Sequence, residues 1–265
     1  MTAVDPQTTP VSLDLFRLDG KVALVTGASR GLGAAMAVAL SGAGANLALH
    51  ANEQPPAATA LAIAEAGGAR TESFTADLAD RAAADGLVAD AIARFGRVDI
   101  LVNNAGIILR RPAIDHGDEL WDQVLEVNLS SVFRLCRAAG RSMIERGQGG
   151  KIINVVSLLS FQGGVNVPGY AAAKGGLAQL TKALANEWAV HGINVNAIAP
   201  GYMETDNTEA LRADAVRYRA ITERIPAGRW GAASDIAGAA VFLASRASDY
   251  VNGHVLVVDG GWLAR

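Results

Sequence analysis

Thr26-Gly27-Ala28-Ser29-Arg30-Gly31-Leu32-Gly33 stands between an apolar run of strand length, Lys21 to Thr26, and a helical pattern, Gly31 to Gly42. Glycines at a strand-to-helix turn let the backbone approach a pyrophosphate, and the helix N-terminus offers free N–H groups to the anion. The spacing is GxxxGxG rather than GxGxxG, and glycine serves any tight turn. Position gives these glycines their meaning: they follow the first strand of an alternating chain. They point to a dinucleotide site built from Gly27, Ser29, Arg30, Gly31, Leu32 and Gly33.

The same unit repeats along the chain. Further apolar runs lie at Asn46 to His50, Arg70 to Asp77, Val98 to Asn103, Lys151 to Ser157, Ile193 to Ala199 and His254 to Val258. Helical patterns separate them at Pro56 to Ala66, Arg81 to Phe95, Asp118 to Arg146, Tyr170 to His191 and Ala233 to Leu243. Strands apolar almost throughout are those covered on both faces of a parallel sheet. The alternation predicts a single α/β domain, Rossmann-like, with a doubly wound seven-stranded parallel sheet and helices on both faces. Residues 1–19 are polar and aperiodic and read as an N-terminal arm before a domain at 20–265. Residues 201–230 form a helical insertion beyond the sixth strand, where a substrate lid belongs in an open sheet.

Composition narrows the function classes. The chain has 265 residues, 51% hydrophobic and 18% charged, with a formal net charge of -3, so it resembles no disordered chain. No basic stripe supports nucleic-acid binding. The single cysteine, Cys136, excludes an intramolecular disulfide, and the four histidines show no ligand spacing, so no metal is expected. No uncharged apolar run reaches the roughly 18 residues of a membrane span, and the N-terminus lacks a secretory pattern, so a cytoplasmic protein is expected.

The second strand ends in Leu49-His50-Ala51-Asn52, without the acidic residue that would hold a ribose 2′-hydroxyl. Nothing there repels a 2′-phosphate, and Arg30 either pairs with one or lies solvated. NAD and NADP therefore both remain open, with Asn52 facing the choice. Asp77, beside Leu78, is a candidate for the adenine amino group; its alternative is a helix-capping position near Asp80.

Tyr170 and Lys174 are four residues apart in a helical pattern, so they share one face. A tyrosine of ordinary pKa about 10 is a poor base at neutral pH, and a nearby cation favours its phenolate. Such a pair suits proton exchange with an alcohol or ketone. Ser157 ends the fifth strand, Asn103-Asn104-Ala105-Gly106 ends the fourth, and Asn128 lies in the following helix. Singly, Ser157 could be a helix cap, the two asparagines turn residues and Asn128 a satisfied core amide. Together and in this order they are improbable by chance.

The glycine turn, Asn103-Asn104-Ala105-Gly106, Asn128, Ser157, Tyr170-x-x-x-Lys174 and Pro200-Gly201 resemble the short-chain dehydrogenase/reductase pattern over about residues 17 to 265. The resemblance implies that Tyr170 is the general acid/base and that Ser157 hydrogen-bonds the reacting oxygen. It implies that Lys174 holds the nicotinamide ribose and depresses the tyrosine pKa, while Asn128 supports a water-mediated proton relay. It also adds Asn104, Ala105, Gly106, Pro200 and Gly201 to the cofactor cleft, and implies a homotetramer packed through the long helices.

Further segments, including Ser160-Phe161-Gln162-Gly163-Gly164 and the C-terminal Val258-Asp259-Gly260-Gly261-Trp262, are similar to the family's sugar-acid dehydrogenases. The implied substrate is a small molecule, a deoxy-keto sugar acid of the 2-deoxy-D-gluconate or 2-dehydro-3-deoxy-D-gluconate type. A carboxylate needs a cation and the hydroxyls need hydrogen-bonding groups. Arg110, Arg111, Gln162, Asn166 and Met203 are the substrate candidates. Gly169, just before the tyrosine, and Ala28-Ser29-Arg30 depart from that group's usual pattern. The alternatives are a 3-oxoacyl-carrier-protein reductase and, from another class, a non-catalytic dinucleotide-binding regulator. The retained tyrosine and lysine argue against the regulator.

Overall fold

The computed structural model describes residues 12–265. Of the arm, residues 1–11 lie outside the described residues; at its end Leu18 is buried among the core side chains. The predicted strands are all present as β1 (Val22–Val25), β2 (Asn46–Ala51), β3 (Thr71–Thr75), β4 (Ile100–Asn103), β5 (Gly150–Val155), β6 (Ile193–Pro200) and β7 (Val255–Val258). They form one seven-stranded sheet in the order β3-β2-β1-β4-β5-β6-β7, and every pairing is parallel. The central strands β1 and β4 are buried at every residue, which is why their sequences show no alternation.

Helices α1 (Gly31–Gly42), α2 (Ala57–Glu65), α3 (Arg81–Phe95), α4 (Asp118–Leu125), α5 (Ser131–Arg146) and α6 (Pro168–Trp188) connect the strands as far as β6. The insertion then supplies α7 (Glu209–Ala213) and α8 (Ala215–Arg224), and α9 (Ala237–Ala244) precedes β7. One core packs residues of α3, α5 and α6 against the sheet; another packs α1 and α9 against the opposite face. A third, smaller core joins Leu158, Ile221, Ile225, Trp230 and Trp262 beneath the insertion.

The long helix predicted over Asp118 to Arg146 is one path with a flaw in it. Between α4 and α5 lies a π turn, Glu126–Ser130. Asn128 sits in that turn, and its Nδ2 donates to the Val124 carbonyl four residues back at 2.9 Å. A side chain competing for a helical carbonyl widens the turn locally, and π turns of this kind gather at functional sites.

Strand order reverses direction between β1 and β4, so the loops after these two strands leave in opposite directions and open a crevice. The glycine turn and the segment after Asn103 form its walls.

Candidate active site

The crevice is held open by a few side chains. Thr26, at the end of β1, accepts the N–H groups of Asn104 and Ala105 on its hydroxyl, each at 3.0 Å. Asn104 returns the contact, its Nδ2 donating to the carbonyls of Thr26 at 2.9 Å and Gly27 at 3.1 Å. Gly33 is packed so closely beneath that a Cβ would overlap the Gly27 carbonyl oxygen and lie 2.5 Å from Asn104 Nδ2.

His50 is a member of this site that the sequence reading missed. It is buried beneath the turn, with Nδ1 3.4 Å from the Gly27 N–H and Nε2 2.9 Å from the Ala76 carbonyl. These partners set one tautomer: Nε2 donates and Nδ1 accepts. Burial pushes its pKa below the ordinary value, partly opposed by the Ala76 carbonyl, so the neutral ring is favoured. The only signal in the sequence was a histidine at the carboxyl end of the second strand.

These residues fit a dinucleotide. Arg30 caps α1 without a side-chain hydrogen bond, so the first N–H groups of the helix face the turn with no side chain occupying them. Ser29 and Arg30 are exposed, and Gly31 and Leu32 are half-buried. The Arg30 side chain is 76% exposed, as the solvated alternative expects. It forms an ion pair with Asp206 in the insertion, at 2.9 Å. Thr205 lies beside it, 3.5 Å from where a Gly31 Cβ would stand. The insertion therefore touches the glycine turn.

Asn52 is exposed at the end of β2. Asp77 accepts from the Ala79 N–H at 2.9 Å, which leaves its second carboxylate oxygen unengaged, whereas Asp80 caps α3. Leu78 is buried in the core. Pro200 ends β6, and Gly201 lies so close to Asp259 that a Cβ would approach its Cα to 2.6 Å.

Asn128 holds the other wall. It is fully buried; its Oδ1 accepts from the Ile107 N–H at 3.1 Å and its Nδ2 donates to the Ile107 carbonyl at 2.9 Å. With Val124 also accepting, both amide hydrogens are used. The side chain's donors are committed to backbone, so any support it gives a relay comes from the turn it holds in place. A Cβ on Gly106 would stand 2.5 Å from Asn128 Oδ1 and 3.7 Å from Lys174 Nζ, so glycine keeps this space clear.

Tyr170 and Lys174 lie on α6, with the ammonium 5.7 Å from the phenol ring centroid. Lys174 is 3% exposed, and its Nζ donates to the Val155 carbonyl at 2.7 Å. Burial lowers its pKa from the ordinary 10.5 to about 8. The Tyr170 pKa is raised, chiefly by burial, and opposed by the Ser157 hydroxyl and the charge of Arg110. Desolvation of the phenolate sets the direction, and the Lys174 ammonium faces the ring and a backbone carbonyl. At neutral pH the phenol keeps its proton. Ser157 also caps the turn Leu158–Ser160, accepting from the Leu159 N–H at 3.2 Å.

A stability consequence follows from Lys174. Between about pH 8 and 10.5 the unfolded chain carries a proton on this amine that the folded chain has lost. Stability therefore rises with pH across that window, and the gain disappears as pH falls through about 8. Urea midpoints of the wild type minus those of Lys174→Met are expected to climb from pH 7.5 to 10. A flat difference would show that the amine is not desolvated.

The substrate candidates divide. Arg110 Nη2 donates to the Asn207 carbonyl in the insertion at 3.2 Å, and its charge reaches Tyr170. Gln162 is half-buried and accepts from the indole of Trp262 at 3.0 Å. Arg111 and Asn166 are exposed and joined by a backbone hydrogen bond at 2.9 Å. Asn166 adopts a left-handed φ of 63°, the conformation asparagine tolerates best among non-glycine residues. Met203 is 4% exposed, bridged to Gly231 and packed into the core of α1 and α9.

The Enoyl-(Acyl carrier protein) reductase family model matches residues 27–263. A 2-dehydro-3-deoxy-D-gluconate 5-dehydrogenase of Dickeya dadantii is 54% identical over 253 residues, covering 96% of this chain and 99% of the relative. The Bacillus subtilis protein of the same name is 54% identical over 252 residues, covering 95% and 98%. A crystal structure from Agrobacterium tumefaciens with bound NADP, provisionally named a 2-deoxy-D-gluconate 3-dehydrogenase, superposes with a TM-score of 0.90. It is 56% identical, covering 94% of this chain and 99% of that one.

Proposed function

The chain belongs to the short-chain dehydrogenase/reductase family, and on that premise we propose that it interconverts a hydroxyl and a ketone on a deoxy-keto sugar acid with NAD or NADP. The observation that carries the substrate class is Arg110, a cation whose charge is felt at Tyr170 and whose guanidinium reaches the insertion. A guanidinium tethered to the insertion, with its charge reaching Tyr170, suits a carboxylated substrate. The names of relatives more than half identical over nearly the whole chain support the same class.

The residues divide the work as follows. Gly27, Ser29, Gly31, Leu32 and Gly33 line the phosphate turn, with Asn104, Ala105, Gly106, Pro200 and Gly201 along the rest of the cleft. Asn52, Asp77 and Leu78 flank the adenosine end. Arg30 engages Asp206 through Nε and keeps its two terminal NH2 groups for a 2′-phosphate, so the insertion orients the side chain on which the choice between NAD and NADP turns. The bound nicotinamide supplies hydride exchange. Tyr170 supplies or takes the proton on the reacting oxygen, Ser157 hydrogen-bonds that oxygen, and Lys174 holds positive charge beside the phenol. Asn128 holds Ile107 and keeps the Gly106 wall in place. Residues 201–230 act as the lid.

Among the described residues no helix is long and apolar enough to cross a membrane. A cytoplasmic homotetramer fits this reading; the exposed Trp121 on α4 and Phe133 on α5 support packing through the long helices.

Purified protein given NAD, NADP and their reduced forms with a panel of aldonic and deoxy-keto acids tests the function. Turnover of a deoxy-keto sugar acid is expected, and Arg110→Met is expected to raise its KM about tenfold or more. Turnover of a 3-oxoacyl substrate alone would replace the substrate class. Cofactor binding with no turnover of anything would favour the regulator.

A further inference from the structure

Trp262 lies three residues from the C-terminus, 5% exposed, and 100 residues from Gln162 in sequence. Its indole Nε1 donates to Gln162 Oε1 at 3.0 Å. An indole N–H can only donate, so the amide atom facing it has to be the oxygen. That contact orients the whole amide: its NH2 group points away from Trp262, and among the described residues it meets no protein acceptor.

Both partners are held in place. The Arg224 guanidinium, at the end of α8, sits 3.9 Å over the Trp262 ring, and the Tyr202 ring lies 4.6 Å from it. The Gln162 N–H donates to the Leu158 carbonyl at 3.1 Å, and Leu158 packs in the same small core as Trp262. The turn that begins at Ser157 is also fastened to α6, where Ser160 Oγ donates to the Lys174 carbonyl at 2.7 Å. Gln162 is thus pinned between the catalytic helix on one side and the C-terminus and lid on the other.

We infer that Trp262 is a positioning residue that turns the NH2 group of Gln162 toward the substrate, so that Gln162 reads an oxygen lone pair of the sugar acid and not a hydroxyl proton. The inference rests on the sugar-acid reading above. It assigns to the C-terminus a part in substrate recognition exerted through one hydrogen bond.

Steady-state kinetics with the sugar acid, together with cofactor Kd by fluorescence titration, test it. Trp262→Phe keeps a ring for Arg224 but lacks the N–H. It is expected to raise KM about fivefold, with kcat within a factor of two and cofactor Kd unchanged. Gln162→Ala is expected to raise KM at least as much, and the double variant no further than Gln162→Ala alone. Gln162→Glu still accepts from the indole but offers the substrate a negative acceptor, and KM is expected to rise more than tenfold. Multiplying effects in the double variant, a loss confined to kcat, or an unchanged KM in Gln162→Glu would each overturn the inference. If the wild type turns over an acyl ketone and no sugar acid, the functional reading fails instead. The same variants measured on that ketone then decide whether Trp262 positions Gln162.

Discussion

Tyr170→Phe is expected to lower kcat by roughly a hundredfold to ten-thousandfold while leaving the Kd of the cofactor within about twofold, since general acid–base transfer contributes on that scale. The substitution removes one oxygen and keeps the ring that faces Lys174 at 5.7 Å, so packing on α6 survives. The pH profile adds a second readout. Burial raises the Tyr170 pKa above its ordinary 10, which leaves the phenol as a ready acid at neutral pH. Reduction of a ketone should therefore hold its rate near neutrality and fall as the medium becomes strongly alkaline. Oxidation of the alcohol needs the phenolate and should climb with pH. Activity surviving in the phenylalanine variant, with the same pH dependence, would move the proton donor elsewhere.

Gly33→Ala is expected to weaken cofactor binding more than tenfold and to destabilise the protein by roughly 3 kcal/mol, a large overpacking penalty. In a chain of this size that corresponds to a melting temperature lower by about 6–12 °C. The reason is geometric. The added Cβ would collide with the Gly27 carbonyl oxygen and stand 2.5 Å from Asn104 Nδ2. Neither is the free end of a flexible side chain, because Asn104 is bonded to the carbonyls of Thr26 and Gly27. Relief has to come from the turn itself, which is the surface offered to the pyrophosphate. Calorimetry and cofactor titration on the same preparation measure both effects. An alanine variant with unchanged melting and affinity would mean that the turn is looser than this packing allows.

Some of this site was legible before any fold was known, because the signals are local. A glycine turn between a strand and a helix, or a phenol and an amine one helical turn apart, depends only on backbone periodicity. Buried parallel strands announce themselves through continuous apolar runs, which is how β1 and β4 were found. Strand ends shifted by one or two residues, as at β3 and β4, where pairing with the neighbour decides the boundary.

What stayed hidden is everything that depends on distance through space and on burial. His50 gave no sign that it would sit under Gly27, because that contact joins the ends of two strands. Nothing local to Arg30 announced its surface ion pair with Asp206, 176 residues away. The backbone carbonyls that take both donors of Asn128, one of them 21 residues away at Ile107, were likewise out of sight. The upward shift of the tyrosine pKa was hidden for the same reason, since the desolvation behind it is created only by packing. Local chemistry was written into the chain as the glycine turn, the tyrosine and the lysine. Which groups are dry, which hydrogen bonds are already spent, and that Trp262 faces Gln162 were settled when the sheet and the insertion brought distant segments together.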